Sequence, residues 1–272
     1  MKYAVMSDVH ANPKALETAL ADARGRGCRK FVFLGDVTGY GYDVKAALRI
    51  VRESFDVALM GNHDSACLGM EPWFEVQTNK NYRVDLMHRS ILSDEEKEWL
   101  RSRPYEFSEG DALFVHGDCT NPRNWNYILG AEAVAMNLLA CPKPLLFCGH
   151  SHFAAVWEMV GGPADGGEMK CGAKLQKYFS SPAKRHADTQ SFKVLDNGRY
   201  IVNVGSVGYP RNDLCSTYVI YDSSARRVTF RRLPVDLFAY AAEIAACRIQ
   251  IPLWLRDALD RGAVEEKAGG RN

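Results

Sequence analysis

Five of the seven histidines in this chain, His10, His63, His116, His150 and His152, come directly after an apolar run, whereas His88 and His186 do not. Asp8, Asp36 and Asn62 stand in the same short polar clusters, "DVH", "GD" and "GNHD", and the later ones read "VHG" and "GHSH". Imidazole and carboxylate without thiolate suit Mn, Fe, Zn, Co or Ni better than a soft-metal or a Mg/Ca-only site. With His63 set aside, the candidate ligands are Asp8, His10, Asp36, Asn62, His116, His150 and His152. One divalent ion takes about four to six donors, so this set plus solvent matches two ions sharing a ligand. Taken singly, each cluster also suits an ordinary turn or cap. Their recurrence after one apolar run after another is what separates them from chance.

The elements that must position these residues follow from the hydrophobic pattern. "YAVMS", "KFVFLG" and "FDVALMG" read as buried strands. Between the first two, "NPKALETALADARGRG" predicts a helix with Asn12 as N-cap, Pro13 in its first turn and Gly25 or Gly27 at its end. Val44, Ala47, Leu48 and Val51 mark a second helix by their i, i+3, i+4, i+7 spacing. A β-α-β-α-β order implies right-handed crossovers and a parallel sheet, so the three polar clusters should lie along one sheet edge. Residues 65–105 read as a less regular helical insertion, with a capping box at Ser93 and Glu96. Strand "ALFV", helix "AEAVAMNLLA" and strand "PLLFCG" follow, and the later segments "AAVWEMV", "FKVL", "YIVNVG", "TYVIYD" and "RVTFRRL" are β in character. The periodicity alone favours a single doubly wound α/β sheet. The domain reading is a body over 1–235, with a loop or flap at 158–192, and a C-terminal helical extension and tail over 236–272.

Composition narrows the class. The chain has 272 residues, 47% hydrophobic and 25% charged, with a formal net charge of +1, which calls for neither a nucleic-acid partner nor a membrane surface. Its eight cysteines form no Cys-x-x-Cys pair, which removes zinc-finger and thioredoxin-like readings. Neither a secretory apolar stretch of about 7–15 residues nor a membrane span of about 18 can be found. The expectation is a cytoplasmic protein with free thiols.

The series "DVH", "GDVTGYG", "GNHD", "VHG" and "GHSH", with "NVGSVGYPR" further on, closely resembles the calcineurin-like metallophosphoesterases, and most of all their small bacterial and archaeal phosphodiesterase branch. The resemblance implies an α/β fold of two mixed β-sheets packed face to face and flanked by helices. It assigns Asp8, His10 and His152 to one divalent ion and Asn62, His116 and His150 to a second, with Asp36 bridging. His63 then stands free beside the substrate as proton donor to the leaving group, and Asp64 holds its ring. Two ions would lower the pKa of a bridging water towards about 7 and make it the nucleophile. Asn12 and Arg211 are the implied substrate contacts, and the substrate is a phosphate-ester small molecule, nucleotides included.

The sequence also departs from the pattern. Relatives acting as serine/threonine phosphatases, or as symmetric dinucleoside tetraphosphate hydrolases, carry an arginine shortly after the second motif; here Thr38, Gly39, Tyr40 and Gly41 follow. That loss of a bidentate phosphate clamp counts against both activities, with Arg211 in "GYPRND" the candidate to replace it. A phosphatase or an asymmetric dinucleoside polyphosphate hydrolase stays open, as does a scaffold like the retromer subunit of this fold, although that subunit has lost the histidine that His63 retains. Val204 stands where relatives have proline and Ala11 where they have glycine. Trp125 and Tyr127 suit either stacking on a base or aryl group, or packing within their loop. Lys170, Lys174, Lys177, Lys184, Arg185 and Lys193 form either a basic flap or a solvated face. Arg226, Arg227, Arg231 and Arg232 read as a charged hairpin and edge, and His88 as a structural residue.

Overall fold

The computed structural model describes residues 1–160, 190–211 and 215–247. Its strands fall into two sheets. The first, in spatial order, is β3 (Val57–Ala58), β2 (Lys30–Phe33), β1 (Lys2–Met6), β10 (Cys215–Asp222), β11 (Arg227–Pro234) and β8 (Gln190–Lys193). The second is β4 (Glu106–Glu109), β5 (Ala112–Val115), β6 (Leu145–Cys148), β9 (Gly198–Asn203) and β7 (Ala155–Val160). β1, β2 and β3 are parallel, as are β5, β6 and β9, and each sheet is completed by antiparallel strands.

A strand turns successive side chains to opposite faces, and here both faces are buried. Tyr3 and Val5 of β1, Val32 of β2 and Val219 and Tyr221 of β10 meet Phe114, Phe147, Tyr200 and Val202 of the second sheet in one apolar layer. The alternate residues Ala4, Met6, Phe31, Phe33, Tyr218 and Ile220 face the helices α1 (Pro13–Gly25) and α2 (Val44–Ser54) through Leu16, Leu20, Leu48 and Val51. On the far side, Leu113, Val115, Leu146 and Cys148 pack on Val134 and Leu138 of α7 (Ala131–Ala140). The single doubly wound sheet favoured by periodicity is therefore corrected. Strands buried on both faces read as continuous apolar runs whether helices or a second sheet cover them, so the pattern does not distinguish the two architectures.

Local signals account for the element ends. Asn12 Oδ1 accepts the N–H of Ala15 at 3.2 Å, and Asp43 caps α2 in the same way through Ala46. The insertion forms α3 (Asn62–Leu68), α4 (Trp73–Thr78), a 3₁₀ turn, α5 (Arg83–Ile91) and α6 (Asp94–Arg101), the last opened by the expected Ser93–Glu96 capping box. Of the segment expected as a flap, its ends belong to β7 and β8; the stretch between, with all but Lys193 of the basic residues, lies outside the described residues. After β11, α8 (Leu237–Ala246) buries Tyr240, Ala241 and Ile244, and its Glu243 pairs with Lys14. Among the described residues no helix is long and apolar enough to cross a membrane.

Arg231 departs from the charged-edge expectation. β11 lies between β10 and β8, and Arg231 is buried. Its Nε and Nη2 donate to Asp22 at 2.8 and 3.0 Å, and the Tyr218 hydroxyl donates to the same carboxylate at 2.6 Å. This cluster ties α1 to β10 and β11. Burial alone would raise the Asp22 pKa, but the Arg231 and Tyr218 bonds outweigh it and hold the carboxyl below its usual value. A depressed native pKa stabilises the fold above the unfolded value of about 3.9 and loses that contribution as pH falls through the native one. Asp22→Asn should therefore cost about 1–3 kcal/mol at pH 7 in urea unfolding. The difference from the native chain should shrink below about pH 4, and a pH-independent difference would contradict this role.

Candidate metal centre

The first three polar clusters lie along one edge of the first sheet, as expected, and the later ones, His116, His150 and His152, reach the same place from strand ends of the second sheet. Asp8 and His10 follow β1, Asp36 follows β2, Asn62 and His63 open α3, His116 follows β5, and His150 and His152 follow β6. Hydrogen bonds lock the two sheets together at this point. His150 N–H donates to Asp8 Oδ2 at 3.0 Å, and His116 Nδ1 to the Leu34 carbonyl at 3.1 Å. Asp8, His10, Asp36, His150 and His152 all have φ between 47° and 64°. Left-handed backbone costs an L-residue roughly 1–2 kcal/mol, and its concentration on these residues marks a site whose side-chain directions override local preference. Gly61 permits a close approach: a Cβ there would strike Asp36 Oδ1.

Three close donor groups result, Asp8–His10–His152, Asp36–His116–His150 and His10–Asp36–His63, with the ligand atoms of each within 4.8 Å of one another. His152 Nε2 lies 3.3 Å from Asp8 Oδ1, His116 Nε2 3.3 Å from Asp36 Oδ2, and Asn62 Oδ1 3.0 Å from His116 Nε2. The second nitrogen of each imidazole faces a main-chain carbonyl: Thr38 for His10, Leu34 for His116, Tyr209 for His152 and Trp125 for His150. A ring nitrogen that donates to a carbonyl leaves its partner nitrogen with an exposed lone pair. Nε2 of His10 and Nε2 of His152 then face each other at 3.1 Å as two acceptors. Asp8 Oδ1 and Asp36 Oδ2 are buried with no hydrogen-bond partner. Lone pairs and carboxylate oxygens converging without donors are the arrangement a divalent cation satisfies, and the residues fit such an ion.

The electrostatics agree. Burial drives the pKa of His10 and His152 well below the ordinary value, and burial with the charge of His116 lowers His150 to about 4, so these rings are neutral at pH 7, the form that could ligate a metal. Burial also opposes charge on His116, but the Asp36 carboxylate outweighs it and lifts this ring to about 9. Asp36 itself is disfavoured by burial yet held well below the carboxylate range by His116, His63 and His10.

Asp64 takes a different place from the one expected. Asp64 does not reach the His63 ring. Its carboxylate accepts the main-chain N–H groups of Asp36, Val37, Thr38 and Gly61 at 2.8–3.2 Å. It thus staples the Asp36 loop to the start of α3, and burial beside Asp36 raises its pKa to about 6. The ring is held by Asp85 of α5, whose Oδ2 lies 2.8 Å from His63 Nδ1, with both side chains buried. Burial works against charge on His63, but Asp85 and Asp36 raise its pKa overall. Gly39 makes room for this pair, since a Cβ there would lie 2.6 Å from His63 Nδ1. His88, one turn beyond Asp85, accepts the Gly39 N–H at 3.1 Å. That is the structural role expected of it. The sequence held a signal for Asp85 in its i, i+3 spacing from His88, but a helix outside the five motifs gave no reason to place it at the site.

Asn12 is also corrected. It is buried, with Oδ1 on the Ala15 N–H and Nδ2 donating to the Gly208 carbonyl at 3.1 Å, so it braces the loop and does not face a ligand. Arg211 stands at the rim, 5.9 Å over the Tyr209 ring, and its charge is felt by His10 and His152. Tyr40, Tyr82 and Tyr209, which the sequence did not single out as site residues, line the same rim: the Tyr40 and Tyr82 rings lie 4.5 and 5.0 Å from His63, and Tyr40 stacks on Tyr209 at 4.3 Å. Val204 is buried between the sheets, and its loop is held by Asn203 on the Gly149 carbonyl and Ser206 on the Asp8 carbonyl, so it is well anchored without proline.

Comparison with known proteins places this geometry. Residues 1–226 match the model of the calcineurin-like phosphoesterase superfamily domain. The chain is 26% identical over 264 residues to an uncharacterised protein of Methanocaldococcus jannaschii, covering 95% of this chain and 97% of that one. A crystal structure of a metallophosphoesterase from Sphaerobacter thermophilus is 31% identical, with a TM-score of 0.73 over 94% of this chain and 96% of that one. A hypothetical protein from Pyrococcus horikoshii shares the fold at 14% identity, with a TM-score of 0.65 over 93% and 95% of the two chains. An α/β double sheet whose strand ends gather imidazoles around two unpartnered carboxylate oxygens, matched along most of its length, makes this chain a member of the calcineurin-like phosphoesterase superfamily and a metal-dependent phosphoric ester hydrolase.

Proposed function

We propose that the protein is a dinuclear metal-dependent phosphodiesterase. The observation that carries this reading is the pair of donor groups on either side of Asp36, each containing an orphaned carboxylate oxygen. Asp8, His10 and His152 would hold one divalent ion, and Asn62, His116 and His150 the other, with Asp36 shared; Mn, Fe, Zn, Co and Ni suit these donors. Such ions, when bound, supply Lewis acidity to the phosphoryl oxygens and make a bound water nucleophilic near neutral pH.

The chain's own residues do the rest. His63 keeps Nδ1 on Asp85, and its ring joins His10 and Asp36 in a third close grouping, so Nε2 is the nitrogen left to face the substrate. A histidine so held, with its proton-bearing form favoured by Asp85, donates to the departing alkoxide oxygen. Asp85 is the positioning residue, fixing ring orientation and tautomer. Arg211 offers a guanidinium to a non-bridging phosphate oxygen. Thr38, Gly39, Tyr40 and Gly41 hold no arginine where phosphatase relatives carry one shortly after the second motif. A monoester carries close to two negative charges where a diester carries one, so the missing cation favours the diester. Free thiols at the described cysteines agree with a cytoplasmic setting.

The first test is turnover of bis-p-nitrophenyl phosphate against p-nitrophenyl phosphate by EDTA-stripped protein. Activity should return with Mn²⁺, favour the diester, and vanish in Asp36→Asn; intact esters with metal measurably bound would overturn the proposal. A second test separates proton donation from metal binding. His63→Ala should retain its metal yet lose about 10²–10⁴ in kcat on an ester with a poor, alkyl leaving group. Asp85→Asn should lower kcat on that same ester by about tenfold with KM little changed, and barely affect a p-nitrophenyl ester, whose leaving group needs no proton. Equal losses on both esters would reduce Asp85 to a structural role.

A further inference from the structure

Tyr127 and Trp125 share one loop after β5 but differ in what they do. The indole N–H of Trp125 donates to Glu71 at 2.8 Å, and its ring lies against Tyr105 and the edge of His116. It is a packed loop residue. Tyr127 instead lies flat on the His150 imidazole, with centroids 4.1 Å apart and planes 14° from parallel. It nevertheless remains 46% exposed. Burial raises the pKa of its hydroxyl, and the nearby charge of Arg211 opposes that rise. The ring is thus backed by a candidate metal ligand on one face and lies close to the candidate phosphate clamp, while much of its surface remains open to solvent.

Nothing in the metal centre needs a planar aromatic surface there, since His150 is already oriented by the Trp125 carbonyl. The rest of the rim continues the theme. Tyr40 holds φ at 52°, a conformation costly for a bulky residue, and in it stacks on Tyr209 beneath the Arg211 guanidinium. A tyrosine fixed in advance offers stacking area at little entropic cost, and a planar ring finds on it a sequence-tolerant partner.

Resting on the phosphoesterase reading, we propose that Tyr127 is a stacking platform for a planar aromatic group carried by the phosphate ester, a nucleobase or a simpler aryl group. The substrate class is then an aromatic or nucleoside phosphoester, held by its phosphate at the metal centre and Arg211 and by its ring on Tyr127.

The test is equilibrium binding to the Mn²⁺-loaded full chain of inorganic phosphate, ribose 5-phosphate, phenyl phosphate and 5′-AMP, measured by calorimetry for the native protein, Tyr127→Phe and Tyr127→Leu. In the native protein 5′-AMP should bind about tenfold or more tighter than ribose 5-phosphate. Tyr127→Phe should keep most of that advantage, because the ring remains. Tyr127→Leu should erase it, read as the ratio of the two affinities within that variant, with inorganic phosphate still bound measurably, which also shows that the variant is folded. An equal advantage for phenyl phosphate over inorganic phosphate would identify a general aryl site, and its absence a nucleobase site; both support the platform. An AMP affinity no better than that of ribose 5-phosphate, or an advantage surviving in Tyr127→Leu, overturns it. If inorganic phosphate itself fails to bind, the phosphoesterase reading falls and this one with it; phosphate binding without ring preference removes the platform alone.

Discussion

Two carboxylate oxygens, Asp8 Oδ1 and Asp36 Oδ2, are buried beside imidazole rings and accept no hydrogen bond. That is the constraint on which the structure turns. An anion buried without a partner is costly, and clustered acceptors multiply the cost. A cationic ligand resolves it, so the protein's work is to hold the donors in place until the ion is bound. The outward nitrogens of the four imidazoles are committed to main-chain carbonyls, the Asp36 loop is stapled by four N–H groups to Asp64, and five of the converging residues accept left-handed backbone. Each device costs something locally. Each serves side-chain direction.

The double sheet is what makes the convergence possible. Three parallel strands of one sheet deliver Asp8, His10, Asp36 and Asn62, and two of the other deliver His116, His150 and His152. With the inner faces packed through Tyr3, Val5, Phe114, Phe147 and Tyr200, the strand ends stand edge to edge, and ligands can approach a common point from two directions. A single sheet would spread the same residues along a line. The apolar layer between the sheets is therefore a positioning element for the metal centre as well as a source of stability, and the hydrogen bonds from His150 to Asp8 and from His116 to Leu34 connect the halves where their alignment matters.

The helical insertion adds a second function to this frame. Asp85 and His88 on α5 reach the His63 ring and the Gly39 turn respectively. The same turn has a glycine where a side chain would strike His63. A segment that adds nothing to either sheet thus sets the orientation of the one histidine in the cluster that keeps a side-chain carboxylate, and not a main-chain carbonyl, on its second nitrogen.

What the sequence determined by itself was the list of donors, their order, and the strands and helices between them. Polar residues directly after buried runs report strand ends, because the chain emerges from the core there, and the caps at Asn12 and Ser93 follow from local hydrogen-bond chemistry alone. Only the tertiary structure decided which residue each side chain would meet. Whether two-faced apolar strands are covered by helices or by a second sheet is a long-range choice that periodicity does not encode. Asp64 adjoins His63 in the chain, yet at the start of a helix neighbouring side chains diverge, and its carboxylate is drawn to the free N–H groups of the Asp36 loop. Asn12 is consumed by its own cap and by Gly208. The partner of His63 comes instead from twenty-two residues away, since contact across a fold depends on packing, which sequence separation does not measure.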